Sequence, residues 1–455
     1  MKEMVLFHKT PASWNKADFL QQVQLVEGSK IERKKLEESS DLHALFASDI
    51  YIQLGIEMCK ALDYSHLHIV QGFSENEQRN WISGEEEGRY EVTDNMTYWC
   101  VDSPARLQQF MNRAVVFTRG NYATLHDYLS NSDDEASKPI WLHYPATALM
   151  FPHLENYKEQ ITTSLSEPTF DSRVLSEQVT GMIVEHQLKP ILGESSLARN
   201  LENLWNRFEK RRTEEKPSPY DIVLIDDKSS FLLYQNIYSD SMVVPFVKPV
   251  LPTEIVINYH RKYDMMFCGT TLQSTKNHLQ FISLLDRIDR ETDEILRICI
   301  AGDRGDLPAF TQSLEREYVH LEIDNFGEVS RTELFDLYNQ SRTLLVMSGR
   351  DCNPRIIQEA GVCGVFVIAA DTMSDGTEIL KDEAVIGAII PTKKASWFYQ
   401  KNGNVVFDVN TSFAQKVLRS IKNAHSPFLV HETALRRYSL EKAAEYIAAQ
   451  ITMLG

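Results

Sequence analysis

The chain reads as an α/β protein of two domains, each built on a parallel sheet, with a helical segment inserted into the first. Three observations carry that reading. Its 455 residues exceed what one hydrophobic core usually organises, and they suit two domains of about 200 residues each. The second half alternates short runs rich in β-branched and aromatic residues with helical stretches, the pattern of a parallel sheet covered on both faces. Between about Pro152 and Pro219 the strand signal disappears and a helical apolar period takes over.

In the first half, strands are expected at Val5–Phe7, Leu67–Val70, Ala114–Thr118, Ile140–His143, Tyr220–Ile225 and Met242–Phe246, with helices at Tyr51–Leu62 and Pro104–Met111. Within the inserted segment, about 152–219, Leu197, Leu201, Leu204, Trp205 and Phe208 follow the spacing of one apolar helix face. Leu175, Val179, Met182 and Ile183 suggest an earlier helix, and RRTEEKPSP (Arg211–Pro219) an exposed connector. Packing of the insertion against its own domain is the favoured expectation, with a homodimer contact or an acceptor-binding lid as the alternatives.

The second half begins with a strand at Met265–Cys268, closed by Gly269, and a helix at His278–Ile288. Next come a strand at Ile295–Ala301 ending in GDRGD, a helix at Leu307–Arg316, a strand near Val319–Ile323 and a helix at Glu333–Gln340. The apolar run Leu344–Met347 is of strand length and leads into SGRDCNPRIIQEAGVCG, Ser348 to Gly364. There Asn353 reads as a helix N-cap, Pro354 as the first helical residue and Gly364 as a left-handed stop. The result is strand, loop, helix, with an acid in the loop (Asp351), another inside the helix (Glu359), and free helix amides at a strand's carboxyl end. Open α/β sheets bind anionic ligands at such places. VFVIAAD (Val365–Asp371) is a buried strand, and Ser439–Met453 a final helix with Ala443, Ala444, Ile447 and Ile451 on one face.

Composition narrows the classes. A hydrophobic share of 43% and an aromatic share of 10% are globular values. The formal net charge of −17 argues against nucleic acid, whose binding draws on clustered Lys and Arg. It also weakens attachment to an anionic membrane by charge. No apolar run approaches the roughly 20 residues of a transmembrane segment, and the first residues are too briefly apolar for a signal peptide. Six cysteines, Cys59, Cys100, Cys268, Cys299, Cys352 and Cys363, lack paired spacing and fit a reducing, cytoplasmic setting. No G-x-G-x-x-G opens a helix, which argues against a nicotinamide dehydrogenase. His66 and His68 share a strand face but lack a third ligand, and no zinc or D-x-D-like metal motif stands out, so no metal is expected.

The segment Ser348, Asp351, Pro354, Glu359, Ala360, Gly364 resembles the signature of retaining GT-B glycosyltransferases of family four, the glycosyl transferases group 1. A "G…KN" turn, a strand end in "GD", the run FGEVSRTELFDLY and this acidic motif follow in the family's order between Asp264 and Leu380. The resemblance implies two Rossmann-like domains facing a central cleft. An acceptor-side domain would occupy residues 1–250 and a nucleotide-sugar domain 251–430, with 431–455 a helix returning toward the first.

It also implies an activity: transfer of a sugar from a nucleoside diphosphate sugar, UDP or GDP type, to a glycan or other hydroxyl acceptor, with retention and without a metal or other cofactor. Asp351 would meet the donor sugar, and Glu359 would accept bonds from the ribose hydroxyls. Lys276 would contact the diphosphate. Gly269 and Gly302 would allow close backbone approach, and the backbone near Val329 would read the base. Asn353, Pro354 and Arg355 would present the helix start to phosphate or sugar, and His143, ending a strand, would approach the transferred sugar. Arg119 and Gly120, from the neighbouring strand end, are weaker candidates. Two departures stand out. Asp351 replaces the usual Glu, one methylene shorter, and Thr270 stands where an Arg is usual. They motivate an alternative, a GT-B-fold partner subunit that binds nucleotide sugar or glycan without transferring it.

Overall fold

The structure, a computed structural model, describes residues 2–8, 49–71, 89–100, 115–119, 139–144, 220–226, 235, 240–251, 255–271, 276–349, 354–372, 380, 384–392, 398–399 and 405–454. The expected insertion at 152–219 and the helix at Pro104–Met111 lie outside them.

The amino-terminal sheet contains β1 (Glu3–His8), β2 (His66–Gln71), β3 (Arg89–Thr93), β4 (Met96–Cys100), β5 (Val115–Arg119), β6 (Ile140–Tyr144), β7 (Ile222–Ile225) and β8 (Met242–Pro245). Its order is β3-β4-β2-β1-β5-β6-β7-β8, parallel except for β3 against β4. That hairpin is absent from the sequence expectations. Its signal was present: Asp94-Asn95 makes a turn between two alternating segments. Helix α1 (Ile50–Ala61) starts where the Asp49 carboxylate accepts from the amides of Tyr51 and Ile52, a standard N-cap.

The carboxyl-terminal sheet holds β9 (Tyr263–Cys268), β10 (Leu296–Ala301), β11 (Leu321–Asn325), β12 (Ser341–Val346), β13 (Phe366–Ala370) and β14 (Gly387–Ile390). All are parallel, in the order β11-β10-β9-β12-β13-β14. The chain therefore winds outward from β9 in one direction and restarts at β12 in the other. That reversal, between the tips of β9 and β12, is where doubly wound sheets open a ligand crevice.

Helices cover both faces. On one lie α2 (His278–Glu291), α3 (Pro308–Leu314) and α6 (Thr411–Lys422), packing Phe281, Leu285, Phe310, Phe413 and Val417 against Met265, Phe267 and Ile298. On the other lie α4 (Arg331–Gln340), α5 (Arg355–Val362) and α7 (Pro427–Tyr438), packing Tyr338, Ala360 and Ala434 against Met266, Cys299 and Leu344. A short antiparallel pair, β15 (Phe398–Tyr399) and β16 (Val405–Val406), stands apart. Helices α6 and α7 and strand β14 had not been expected.

Two boundaries moved for local reasons. Helix α4 begins two residues earlier than expected because Ser330 and Glu333 form a capping box. In α5, Pro354 occupies the N-cap position with extended backbone instead of the first helical position. Gly364 does close that helix with positive φ, and a Cβ there would lie 2.5 Å from the Pro427 carbonyl oxygen.

The last helix, α8 (Leu440–Leu454), leaves this domain. Its Leu440, Ala444, Ile447 and Ile451 pack into the amino-terminal core with Ile52, Leu54 and Met58 of α1. Ser439 marks the bend, and the Val250 amide donates to the Tyr438 carbonyl at 2.8 Å, tying the chain's outward crossing to its return. No helix of the described residues is long and apolar enough to cross a membrane.

Candidate functional site at the carboxyl-terminal sheet

The tips of β9 and β10 are pinched together. Gly269 donates its amide to the Ala301 carbonyl, and the Thr271 amide donates to the Gly302 carbonyl. Gly302 has φ +98°, and a Cβ on it would lie 2.6 Å from the Gly269 oxygen. Only glycine fits. At Gly269 a Cβ would stand 3.1 Å from Cγ of Lys276, so the lysine's stem lies across the glycine.

The GDRGD turn is organised from within. The buried Asp303 carboxylate accepts from the Gly305 amide, from Nδ2 of Asn325 and from the Thr311 hydroxyl. These bonds occupy the acid with shaping the turn. Its partner Gly302 donates to the Gly327 carbonyl at 2.6 Å, carrying the turn to the segment that holds Val329 and starts α4.

Before α2, Asn277 takes a left-handed backbone (φ +58°), and its Nδ2 donates to the Met347 carbonyl beyond β12. The next residue, His278, brings Nε2 to 2.9 Å from the Gly269 carbonyl, and burial holds its pKa below the usual histidine value. The sequence reading passed over both residues, although they clamp the β9 loop to the neighbouring strand tip. The left-handed asparagine was the available signal, since Asn tolerates that region better than most residues.

Glu359 lies one turn into α5, with its side chain 13% exposed. Burial raises its carboxyl above the ordinary 4.5, against the opposing pull of Arg331 and Arg355. Nη2 of Arg331, the first residue of α4, stands 3.5 Å from its Oε1. Cys268, at the tip of β9, links this acid to the lysine. Burial pushes its thiol up to about 11; the Glu359 carboxylate adds to the rise and Lys276 opposes it. The β9 tip thus feels both Glu359 and Lys276. Arg331 had not been singled out from the sequence.

The remaining candidates are placed less uniformly. Arg355 is exposed at the start of α5. Thr270, standing where the resembled family has an arginine, turns its hydroxyl inward, where it meets no partner among the described residues. Asp351 and Asn353 lie outside the described residues, as do Gly120 and the Arg119 side chain. His143 is 2% exposed; its ring stacks on Tyr220 at 4.0 Å and its Nδ1 lies 2.9 Å from the Thr118 hydroxyl. That is the setting of a packed histidine within the sheet. His66 and His68 bond to Thr97 and Glu3, and no group of three or more His, Cys, Asp or Glu among the described residues could hold a metal.

The family profile described as glycosyl transferases group 1 matches residues 257–401. Sucrose-phosphate synthase from Thermosynechococcus elongatus is similar over 100% of this chain and 99% of its own, at 10% identity and a TM-score of 0.51. A glycosyltransferase from Rickettsia africae ESF-5 aligns over 100% of this chain and 99% of its own at 11% identity, with a TM-score of 0.48. No curated protein sequence matches the chain significantly. Residues 257–401 thus carry a glycosyl transferases group 1 domain, within a chain that has the two-sheet GT-B fold.

Proposed function

We propose that the chain moves a sugar from a nucleoside diphosphate sugar, of UDP or GDP type, to a hydroxyl of a glycan or similar acceptor, with retention of anomeric configuration. The observation that carries this reading is the position of Glu359. It is a mostly buried carboxylate one turn below a helix start, acting with Lys276 on the tip of β9 at the sheet's reversal point. A carboxylate there accepts two ribose hydroxyls at once, each charge-assisted bond contributing about 1.5–3 kcal/mol. Gly269 and Gly302 let the nucleotide approach the backbone, and the chain around Val329 meets the base.

Lys276 and the first amides of α5, with Arg355 beside them, face the diphosphate. As the bond from the anomeric carbon to the diphosphate oxygen breaks, charge grows on that oxygen. Donors fixed in advance typically stabilise such charge by about 3–4 kcal/mol. Asp351 and Asn353 are assigned to the donor sugar, with Asp351 offsetting positive charge at the anomeric carbon. Neither a metal nor another cofactor is required by this arrangement. The free thiols Cys59, Cys268, Cys299 and Cys363 suit a reducing compartment such as the cytoplasm.

Titration of UDP and GDP into wild type and Glu359→Ala provides the test. Loss of two charge-assisted bonds predicts at least about a hundredfold weaker binding of the preferred nucleotide. Equal affinity in the two proteins would remove Glu359 from the site and the reading with it.

A further inference from the structure

We infer that Arg331 is a positioning residue, holding the Glu359 carboxylate in place for the nucleotide from the neighbouring helix. The inference rests on Glu359 being a nucleotide ligand, as proposed above. Arg331 is the first residue of α4, where a cation opposes the helix macrodipole. The capping box of Ser330 and Glu333 already serves that helix start, so the arginine does nothing for it. What it does engage is fixed on two sides. Its Nη2 lies 3.5 Å from Oε1 of Glu359, and its guanidinium carbon lies 5.4 Å from the ring centre of the buried Phe335. An arginine stacked on a ring of its own helix is restrained before it pairs, so its partner carboxylate is restrained as well.

The surroundings leave little else to do this. From β9 the Cys268 thiol faces Glu359; from α4 the Tyr338 hydroxyl does; from α5 itself, Cys363 does. Burial raises all three, so each is uncharged at neutral pH. Arg355 is the other cation acting on the acid; both arginines are exposed, but among the described residues Arg331 is the one at ion-pair distance from Glu359. On α7, across the far side of α5, His431 faces the Val362 carbonyl. Arg331 is therefore the paired, anchored charge that offsets the cost of burying Glu359. Removing it leaves the acid both freer and more readily protonated, without taking away a nucleotide contact.

Calorimetric titration of UDP and of GDP from pH 5.5 to 8.5 tests this on wild type, Arg331→Ala, Arg331→Lys, Glu359→Gln and the Arg331→Ala/Glu359→Gln pair. The expected result is about tenfold weaker binding in Arg331→Ala at pH 7, with the acid-side loss of affinity starting roughly one pH unit higher. Arg331→Lys should fall between it and wild type. On the Glu359→Gln background, Arg331→Ala should add nothing, because the two residues act as one. A full loss persisting on that background, or an unmoved acid limb, overturns the inference while leaving Glu359 as a ligand. Wild-type affinity in Glu359→Gln, or no binding of either nucleotide by wild type, overturns the underlying reading as well.

Discussion

At the residue scale, Glu359, the proposed nucleotide ligand, is kept at the expense of stability. Burial raises its carboxyl above 4.5, and Arg331 and Arg355 only partly reverse this. A carboxyl raised on folding stabilises the native state below the unfolded value, and that contribution is lost as pH rises through the folded value. At neutral pH the ionised acid therefore weighs against folding. Glu359→Gln, which carries no charge at any pH, should melt higher than wild type at pH 7 while binding nucleotide poorly. The gap in melting temperature should close as pH falls toward about 4. A Glu359→Gln protein less stable than wild type at pH 7 would mean the Arg331 pair outweighs the burial cost. Both acids of the 351–359 motif were legible as residue types at a spacing. Arg331 was not, because in sequence it is one more surface arginine, and only the neighbouring helix gives it a partner.

At the element scale, loops at strand tips are held by backbone geometry that few residues satisfy. Gly302 combines φ +98° with a space closed by the Gly269 peptide. Since the obstructing atoms are backbone, the neighbour cannot turn aside. Gly302→Ala should destabilise the carboxyl-terminal domain by about 2–4 kcal/mol, seen as an earlier urea midpoint with an unchanged slope. A midpoint within error of wild type would show that the two tips can separate. Strands β9, β10, β12 and β13 were readable because largely buried strands appear as mostly apolar runs, broken in β10 by the exposed Arg297. The hairpin of β3 and β4 carried only the turn at Asp94-Asn95 as its local signal, and its place in the sheet depends on β2 as a neighbour. Helix starts were readable to within two residues, the box at Ser330 and the proline at 354 deciding the remainder.

At the scale of the whole molecule, helix α8 belongs to one domain by sequence and to the other by packing. Ile447 is fully buried in the amino-terminal core, alongside Ala444 and Ile451. Ile447→Ala should cost about 2–5 kcal/mol, and the loss should fall unevenly. Amide exchange should quicken in β1 and β2 while β9 and β10 keep wild-type protection, because separate cores open as separate units. Equal acceleration in both sheets would instead indicate a single cooperative unit.

Apolar periodicity and turn residues were enough to class the chain as α/β, to mark most strands of the second half and to bring out the acid-bearing strand–loop–helix, since these depend on neighbours along the chain. Strand order was not available that way. The reversal between β9 and β12, the meeting of Glu359 with Arg331 and the burial of His143 against Tyr220 arise from contacts between segments distant in sequence. No local pattern encodes which of several equally apolar surfaces a segment will cover; that is resolved only when all of them compete for one core.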